Sequence, residues 1–196
     1  MAYGVTLEWR HSGPASEIRH QTSAMDNPDC IASGPAPALR PIRLVAGASG
    51  GGHANELIRL LDVAEGRLWS VDPVAYVTTL DITAEAFALR GRPVHVIGES
   101  DRKKPLQAIL VFARAAALAF RLRPDVVVTT GSMPLALFAI CAKLIGARVV
   151  WIDSVAQIDE LSLSGRVMRH VADLFLAQWP DVAAKYANVE YAGEVL

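Results

Sequence analysis

Between Leu44 and Leu57 the chain reads Leu-Val-Ala-Gly-Ala-Ser-Gly-Gly-Gly-His-Ala-Asn-Glu-Leu. A short apolar run gives way to Gly47, Gly50, Gly51 and Gly52, and then to helical periodicity. Without a Cβ, glycine lets the chain turn sharply and bring its amides close to a ligand. The free N–H groups and positive dipole end of the following helix suit a phosphate or a developing oxyanion. His53 stands in the first turn of that helix, and histidine is the side-chain type that titrates near neutral pH. One reading is a base or orienting group beside an anion site. The other is a surface or capping histidine after a tight strand–helix connection.

Known glycine-rich patterns divide the possibilities further. No Lys-Ser or Lys-Thr pair follows the glycines, so the loop is not a Walker A motif. Counted from Gly47, Ser49 occupies the second glycine of a dinucleotide fingerprint, and Asp81 lies too late to be its acidic residue. Gly47-Ala48-Ser49-Gly50-Gly51 does fit G-x-S-x-G, which would make Ser49 the nucleophile of a serine hydrolase. Such an enzyme needs an acid and then a histidine later in the chain. His95 and His170 are available, but neither has a loop setting that suggests a triad.

The elements that must position this loop follow from the rest of the chain. With 196 residues it is long enough for one domain with a substantial core. A formal net charge of -1 argues against bulk nucleic-acid binding. Hydrophobic residues make up 52%, which fits either an interface still to be covered or a core-rich monomer. Cys30 and Cys141 lie far apart without metal-ligand spacing and read as reduced thiols, Cys141 in the core. No metal cluster and no cofactor motif is visible. No signal segment opens the chain and no run of about 18 apolar residues interrupts it, so no transmembrane helix is expected. Residues 1–40, rich in Ser, Pro, Ala and Gly, read as a flexible tail or a misassigned start, and 41–196 as a single domain.

From residue 42 strands and helices alternate. Strands are predicted at Ile42–Ala48, Val74–Thr79, Pro93–Ile97, Val126–Thr130, Arg148–Ile152, Leu174–Ala177 and Val189–Tyr191. Helices are predicted from His53 to about Glu65, at Thr83–Leu89, Pro105 to about Arg121, Leu135–Ile145, Ser164–Val171 and Asp181–Tyr186. Val126-Val127-Val128 is apolar on both faces, as a sheet covered by helices on both sides requires. The alternation predicts a doubly wound, mostly parallel, Rossmann-like α/β sheet. Ligands of such sheets bind beyond the C-terminal strand ends, which sets the Gly47–His53 loop, the Thr130–Pro134 turn and Asp153-Ser154 along one rim.

Ser49-Gly50-Gly51-Gly52-His53 after the first strand and Thr130-Gly131 after the fourth are followed by a long C-terminal block. That block contains Trp151-Ile152-Asp153-Ser154, Leu161-Ser162-Leu163-Ser164-Gly165-Arg166, Val171-Ala172-Asp173, Gln178-Trp179-Pro180 and Tyr191-Ala192-Gly193. Over roughly residues 42–196 the combination resembles the acceptor-binding subunit of the two-subunit UDP-N-acetylglucosamine transferase of dolichol-linked oligosaccharide assembly, and similar subunits of bacterial exopolysaccharide systems. The resemblance implies the N-terminal half of a GT-B glycosyltransferase split into two chains. This half would hold a lipid-diphosphate acceptor and a separate partner would hold the UDP-sugar, whether N-acetylglucosamine, another hexose or a uronate. It further implies a peripheral place on the cytoplasmic face of a membrane. Carried over residue by residue, Ser49, Gly50, Gly51, Gly52, Thr130, Gly131, Ser132, Asp153 and Ser154 would line the acceptor diphosphate. His53 would act as base on the acceptor hydroxyl, or orient it, with Asp153 the other candidate base.

The chain departs from the family in two places. Family members usually carry Glu-Ser where this chain has Asp153-Ser154, one methylene shorter. Eukaryotic members also begin with a membrane helix, which the composition of residues 1–40 is not expected to form. Read from the residues alone, Asp153 is equally a loop or helix-start residue, Ser162 and Ser164 are caps, Trp179 packs under the sheet edge and Pro180 starts the last helix. The loop 154–165 could instead contact the acceptor or the partner, and a non-catalytic lipid-diphosphate-binding subunit is a further alternative. Arg102, Lys103, Lys104, Arg114, Arg121 and Arg123 surround the apolar helix Leu106–Leu122. This is either a core helix with basic ends or a face that settles on anionic lipid.

Overall fold

The computed structural model describes residues 40–64, 72–100 and 105–193. The expected tail therefore lies outside the described residues apart from Arg40, as do Cys30, Arg102, Lys103 and Lys104. The elements in order are β1 (Leu44–Ala48), α1 (Gly52–Ala64), β2 (Ala75–Thr78), α2 (Asp81–Ala88), β3 (Val94–Val96), α3 (Pro105–Leu122) and β4 (Val126–Thr130). They continue as α4 (Met133–Leu144), β5 (Arg148–Ile152), α5 (Leu163–Met168), β6 (Leu174–Ala177), α6 (Pro180–Ala183) and β7 (Glu190–Tyr191).

The strands form one sheet in the order β3-β2-β1-β4-β5-β6-β7, and every pairing is parallel. This is the doubly wound sheet that the alternation predicts. The period of two divides its side chains between two cores. Leu44, Ala46, Ala48, Tyr76, Val128 and Ile152 turn to one face, where Leu57 and Leu61 of α1 and Phe87 of α2 cover them. There Tyr76 and Phe87 stack with ring centroids 4.8 Å apart. Val45, Val77, Val127, Val149 and Trp151 turn to the other face, under Ala115 and Ala119 of α3, Phe138 and Ala142 of α4 and Met168 of α5.

The chain runs outward from β1 through β2 to β3, then returns to lay β4 against the other side of β1. Ala48 pairs with Thr130 at the last register position of the two strands. Helices leave β1 and β4 toward opposite faces, so a crevice opens between their C-terminal ends, the usual ligand position in open α/β sheets.

Two helices bear on the sequence readings. Helix α4 is apolar on nearly every side because it is buried between the sheet and α3. Pro134 fits its first turn, where the missing N–H has no intrahelical partner. Helix α3 is not simply a core helix with basic ends. Val111, Ala115, Leu118 and Ala119 face inward, but Leu106, Ile109, Leu110 and Phe120 stand exposed along its outer side. No helix among the described residues is long and apolar enough to cross a membrane.

At the opposite end of the sheet, Asp173 fastens β6 to its neighbours. Its carboxylate lies 2.5 Å from Lys143 Nζ in the last turn of α4 and accepts from Arg148 Nη1 at 2.7 Å and the Val149 N–H at 2.8 Å. Burial pushes the carboxyl up, yet the Lys143, Val149 and Arg148 bonds outweigh it and hold its pKa at about 2. The drop from 3.8 to about 2 corresponds to about 2 kcal/mol. Because the folded pKa is depressed, that stability is present above pH 3.8 and disappears as the pH falls through about 2. Asp173→Asn is expected to unfold at lower denaturant at neutral pH, with the gap to wild type closing as the pH is lowered toward 2. Equal midpoints at pH 7 would contradict this.

Candidate functional site

Three loops meet at the crevice. The first is the glycine loop between β1 and α1. Gly51 takes a φ of +70°, in the left-handed region that favours glycine. A Cβ on Gly51 or Gly52 would meet nothing within 4 Å, so this turn faces open space. Gly50 instead packs against the side chain of Leu80, the residue that opens α2, which a Cβ there would displace. The helix dipole and the free first-turn amides of α1 thus border an open, anion-suited position.

The second loop joins β4 to α4. Buried Thr130 donates its hydroxyl to the His53 carbonyl at 2.7 Å, fastening the first turn of α1 to the end of β4. Gly131 follows with φ +56°. A Cβ on Gly131 would lie 2.5 Å from His53 Nδ1 and 2.6 Å from Nε2. The imidazole therefore lies directly against bare backbone, a close approach that needs glycine. Ser132 also has a positive φ, 71°, a strained conformation for a residue with a side chain. Its Oγ is buried without a hydrogen-bond partner.

The third loop leaves β5, and what it meets is a residue that sequence reading passed over. Glu56 is only 1% exposed. Its Oε1 accepts from Ser154 Oγ at 3.2 Å and from the Val155 N–H at 3.2 Å. Its Oε2 has no hydrogen-bond partner and lies 3.8 Å from His53 Nδ1, which is likewise buried and unpartnered. The exposed part of the ring, 27% of the side chain, therefore carries Nε2. One signal was available in the sequence. Glu56 lies three residues after His53, on the α1 face that Ala54, Leu57 and Leu61 turn inward, where an unpaired acid is costly.

The sequence candidates thus separate. His53, Thr130, Gly131 and, through Glu56, Ser154 come together. Gly51 and Gly52 border the open position beside them. Asp153 is 2% exposed and its carboxylate turns toward α5. It accepts from the Ser162 N–H at 2.8 Å and from Ser162 Oγ at 2.6 Å. Ser162 in turn caps α5 by accepting from the Gly165 N–H at 2.8 Å. Trp179 does more than pack: its Nε1 donates to the Val155 carbonyl at 2.6 Å, and Gln178 Nε2 donates to the Asp153 carbonyl at 3.0 Å. Both hold the loop whose other side holds Glu56.

The nucleophile-elbow reading finds no geometry to support it. The positive φ belongs to Gly51, and Ser49 is buried without the strain that such a turn places on its serine. His95 is on edge strand β3, where it accepts from Arg121 Nη2 at 3.2 Å. Burial and then the Arg121 charge lower its pKa. His170 follows α5. Cys141 is buried in α4. Among the described residues no group of three or more His, Cys, Asp or Glu could hold a metal ion.

The family described as "Oligosaccharide biosynthesis protein Alg14 like" matches residues 89–195. A protein of Eremothecium gossypii named UDP-N-acetylglucosamine transferase subunit ALG14 is 34% identical over 176 residues, which cover 74% of this chain and 76% of that one. The chain belongs to the Alg14-like family. Proteins of the same name are 27% identical in Yarrowia lipolytica, over 77% of this chain and 80% of theirs, and 26% identical in Mus musculus, over 79% and 83%. Within this Alg14-like chain the family match takes in Gly131, Ser132, Asp153 and Ser154, while the glycine loop, His53 and Glu56 precede it.

Solved structures share the fold. MurG of Acinetobacter baumannii superposes with a TM-score of 0.55 at 16% identity, over 71% of this chain and 43% of that one. A UDP-N-acetylglucosamine 2-epimerase superposes at 0.61 with 14% identity, over 79% and 49%. The Alg14-like chain spans less than half the length of either. These likenesses show the parallel, Rossmann-like α/β fold, consistent with the N-terminal half of a GT-B fold.

The contact between His53 and Gly131 gives a direct test. Gly131→Ala forces a Cβ into the imidazole and an alanine into left-handed backbone, at about 1–2 kcal/mol. The variant is expected to unfold earlier in denaturant and to shift the His53 ring resonances. Unchanged stability with unmoved ring signals would show that the close packing is not present in solution.

Proposed function

We propose that this chain is the acceptor-binding subunit of a heteromeric glycosyltransferase. The complex moves a sugar from a UDP-sugar, N-acetylglucosamine or another hexose or uronate, to a sugar on a lipid diphosphate in oligosaccharide or polysaccharide synthesis. One observation carries the reading. His53 sits where the turns after β1 and β4 meet, its ring packed against Gly131 with Nδ1 buried and Nε2 left accessible beside the open Gly51-Gly52 turn. An anionic diphosphate suits the α1 N-terminus, and the neighbouring imidazole can take a proton. The names of the relatives and the GT-B-like half fold support the same assignment.

In the reaction the acceptor hydroxyl oxygen attacks the anomeric carbon of the donor sugar. The bond from that carbon to the UDP oxygen breaks, UDP leaves with the electron pair, and the hydroxyl proton passes to His53 Nε2. The glycine-loop amides hold the acceptor diphosphate. Ser49, Thr130 and Ser132 shape the turn around it. Asp153 acts from behind, holding the β5–α5 loop through Ser162. The donor binds to a second α/β chain, and transfer takes place in the cleft between the two.

Transfer to a lipid-diphosphate sugar, measured with and without the donor-binding partner, tests this reading. The chain alone should neither turn over nor bind UDP-sugar tightly, and the pair should do both. His53→Ala in the pair should lower kcat by about 10²–10⁴-fold, as for loss of a general base. Turnover by the chain alone, or wild-type turnover by a folded His53→Ala pair, contradicts it. Tight lipid-diphosphate binding with no transfer under any pairing would instead identify a binding subunit.

The outer side of α3 fits a peripheral place on the cytoplasmic membrane face. Leu106, Ile109, Leu110 and Phe120 recur at helical spacing along it, all exposed. Arg114, Arg121 and, just beyond the helix, Arg123 form no ion pair with the described carboxylates. Arg114, Arg121 and His95 line a cleft of about 360 Å³ between α3 and β3. Apolar side chains beside unneutralised arginines match an anionic lipid surface. Binding to vesicles containing phosphatidylserine should exceed binding to neutral ones and weaken with salt, and Leu110→Glu should reduce it. Equal binding to neutral and anionic vesicles would remove the electrostatic contribution.

A further inference from the structure

We infer that Glu56 is the positioning residue of His53, fixing which ring nitrogen carries the proton. The inference rests on the reading of His53 as the base. Glu56 Oε2 and His53 Nδ1 are both buried, both without a hydrogen-bond partner, and face each other at 3.8 Å. A small rotation of the ring closes this distance to a hydrogen bond and satisfies both atoms, so two separate desolvation costs disappear together. A carboxylate offers only acceptors, so Nδ1 must be the donor. The neutral ring then carries its proton on Nδ1 and presents a lone pair at Nε2, the form able to receive a proton from an acceptor hydroxyl. As the ring becomes imidazolium, the carboxylate stabilises the new charge. A buried carboxylate behind a histidine base does the same in hydrolytic triads.

The other oxygen explains why the carboxylate is held so firmly. Oε1 takes Ser154 Oγ and the Val155 N–H, and Trp179 holds the Val155 carbonyl. Those bonds alone would not require a charge, because a glutamine oxygen would accept them equally well. Glutamine is therefore the discriminating substitution. The Val155 N–H can only donate, so it keeps the amide oxygen of Glu56→Gln on its own side. The amide nitrogen then faces Nδ1 and donates to it, which moves the ring proton to Nε2 and blocks the base.

The test uses the full chain, alone and paired with its donor subunit. In 15N spectra of the histidine rings, neutral wild-type His53 should carry its proton on Nδ1 and Glu56→Gln should carry it on Nε2. In the pair, Glu56→Gln should lower kcat by about 10²–10⁴-fold while KM for the acceptor changes only a few-fold. Denaturant unfolding of Glu56→Gln should remain close to wild type, because Ser154 and Val155 keep their acceptor. A Glu56→Gln variant with the wild-type tautomer and wild-type kcat overturns the inference and leaves Glu56 a tie between α1 and the β5–α5 loop. If His53→Ala retains turnover while Glu56→Gln still moves the ring proton, the base assignment fails and the link from Glu56 to His53 stands.

Discussion

In a parallel sheet each strand hands the chain to a helix on one face or the other, and where the direction of winding reverses, no helix can close the gap. That constraint governs this molecule. The chain winds outward from β1 to β3, then returns to β4 on the other side of β1. The turn after β1 and the turn after β4 are thereby left side by side at the rim. Thr130 ties them by donating to the His53 carbonyl, and Gly131 lets the imidazole lie against its backbone. The strained φ at Ser132 belongs to the same junction. Backbone strain survives only where the surroundings over-determine it, and here strands paired on both sides and the buried helix α4 provide that support.

The C-terminal part of the chain serves this junction from a distance. Trp179 holds the Val155 carbonyl, the Val155 N–H holds Glu56, and Glu56 faces His53. In parallel, Gln178 holds the Asp153 carbonyl and the Asp153 carboxylate holds Ser162, which caps α5. Polar groups of the β5–α5 loop are thus held from two directions, which helps the loop to lie partly buried. Gly165 completes the arrangement, since a Cβ there would stand 2.7 Å from an Asp153 oxygen.

Much of the architecture was legible in the sequence. The bounds of β4, β5 and β6 follow from apolar runs framed by Pro124-Asp125, Gly146 and Asp173. The edge strands are shorter than their apolar runs suggest, because a strand ends where its single neighbour stops pairing. Helix α4 begins at Met133, before the expected Leu135, because Ser132-Met133-Pro134 reads as a turn although proline is well placed in a first helical turn. Helix α6 ends at Ala183, short of the expected Tyr186. At the candidate site, glycine spacing marked the loop and His53 as candidates. Glu56 was hidden because an acid on an amphipathic helix ordinarily reads as solvent-facing, and its partners lie about a hundred residues away in the chain. Asp153 shows the reverse: its position after β5 suggests a ligand, but its nearest donors are on Ser162.

Among the described residues the sheet ends at both margins in very short strands, three residues in β3 and two in β7. An exposed strand edge is a template for another chain, and brevity at the margin removes most of that template. His95 on β3 and Glu190 on β7 add polar side chains to these margins. Little backbone is left at either margin to recruit a foreign strand. Association by sheet extension is disfavoured, as is fibre-like stacking of copies edge to edge. Such margins favour contact through side chains of the described helices and rim loops, where recognition depends on sequence rather than on generic backbone pairing.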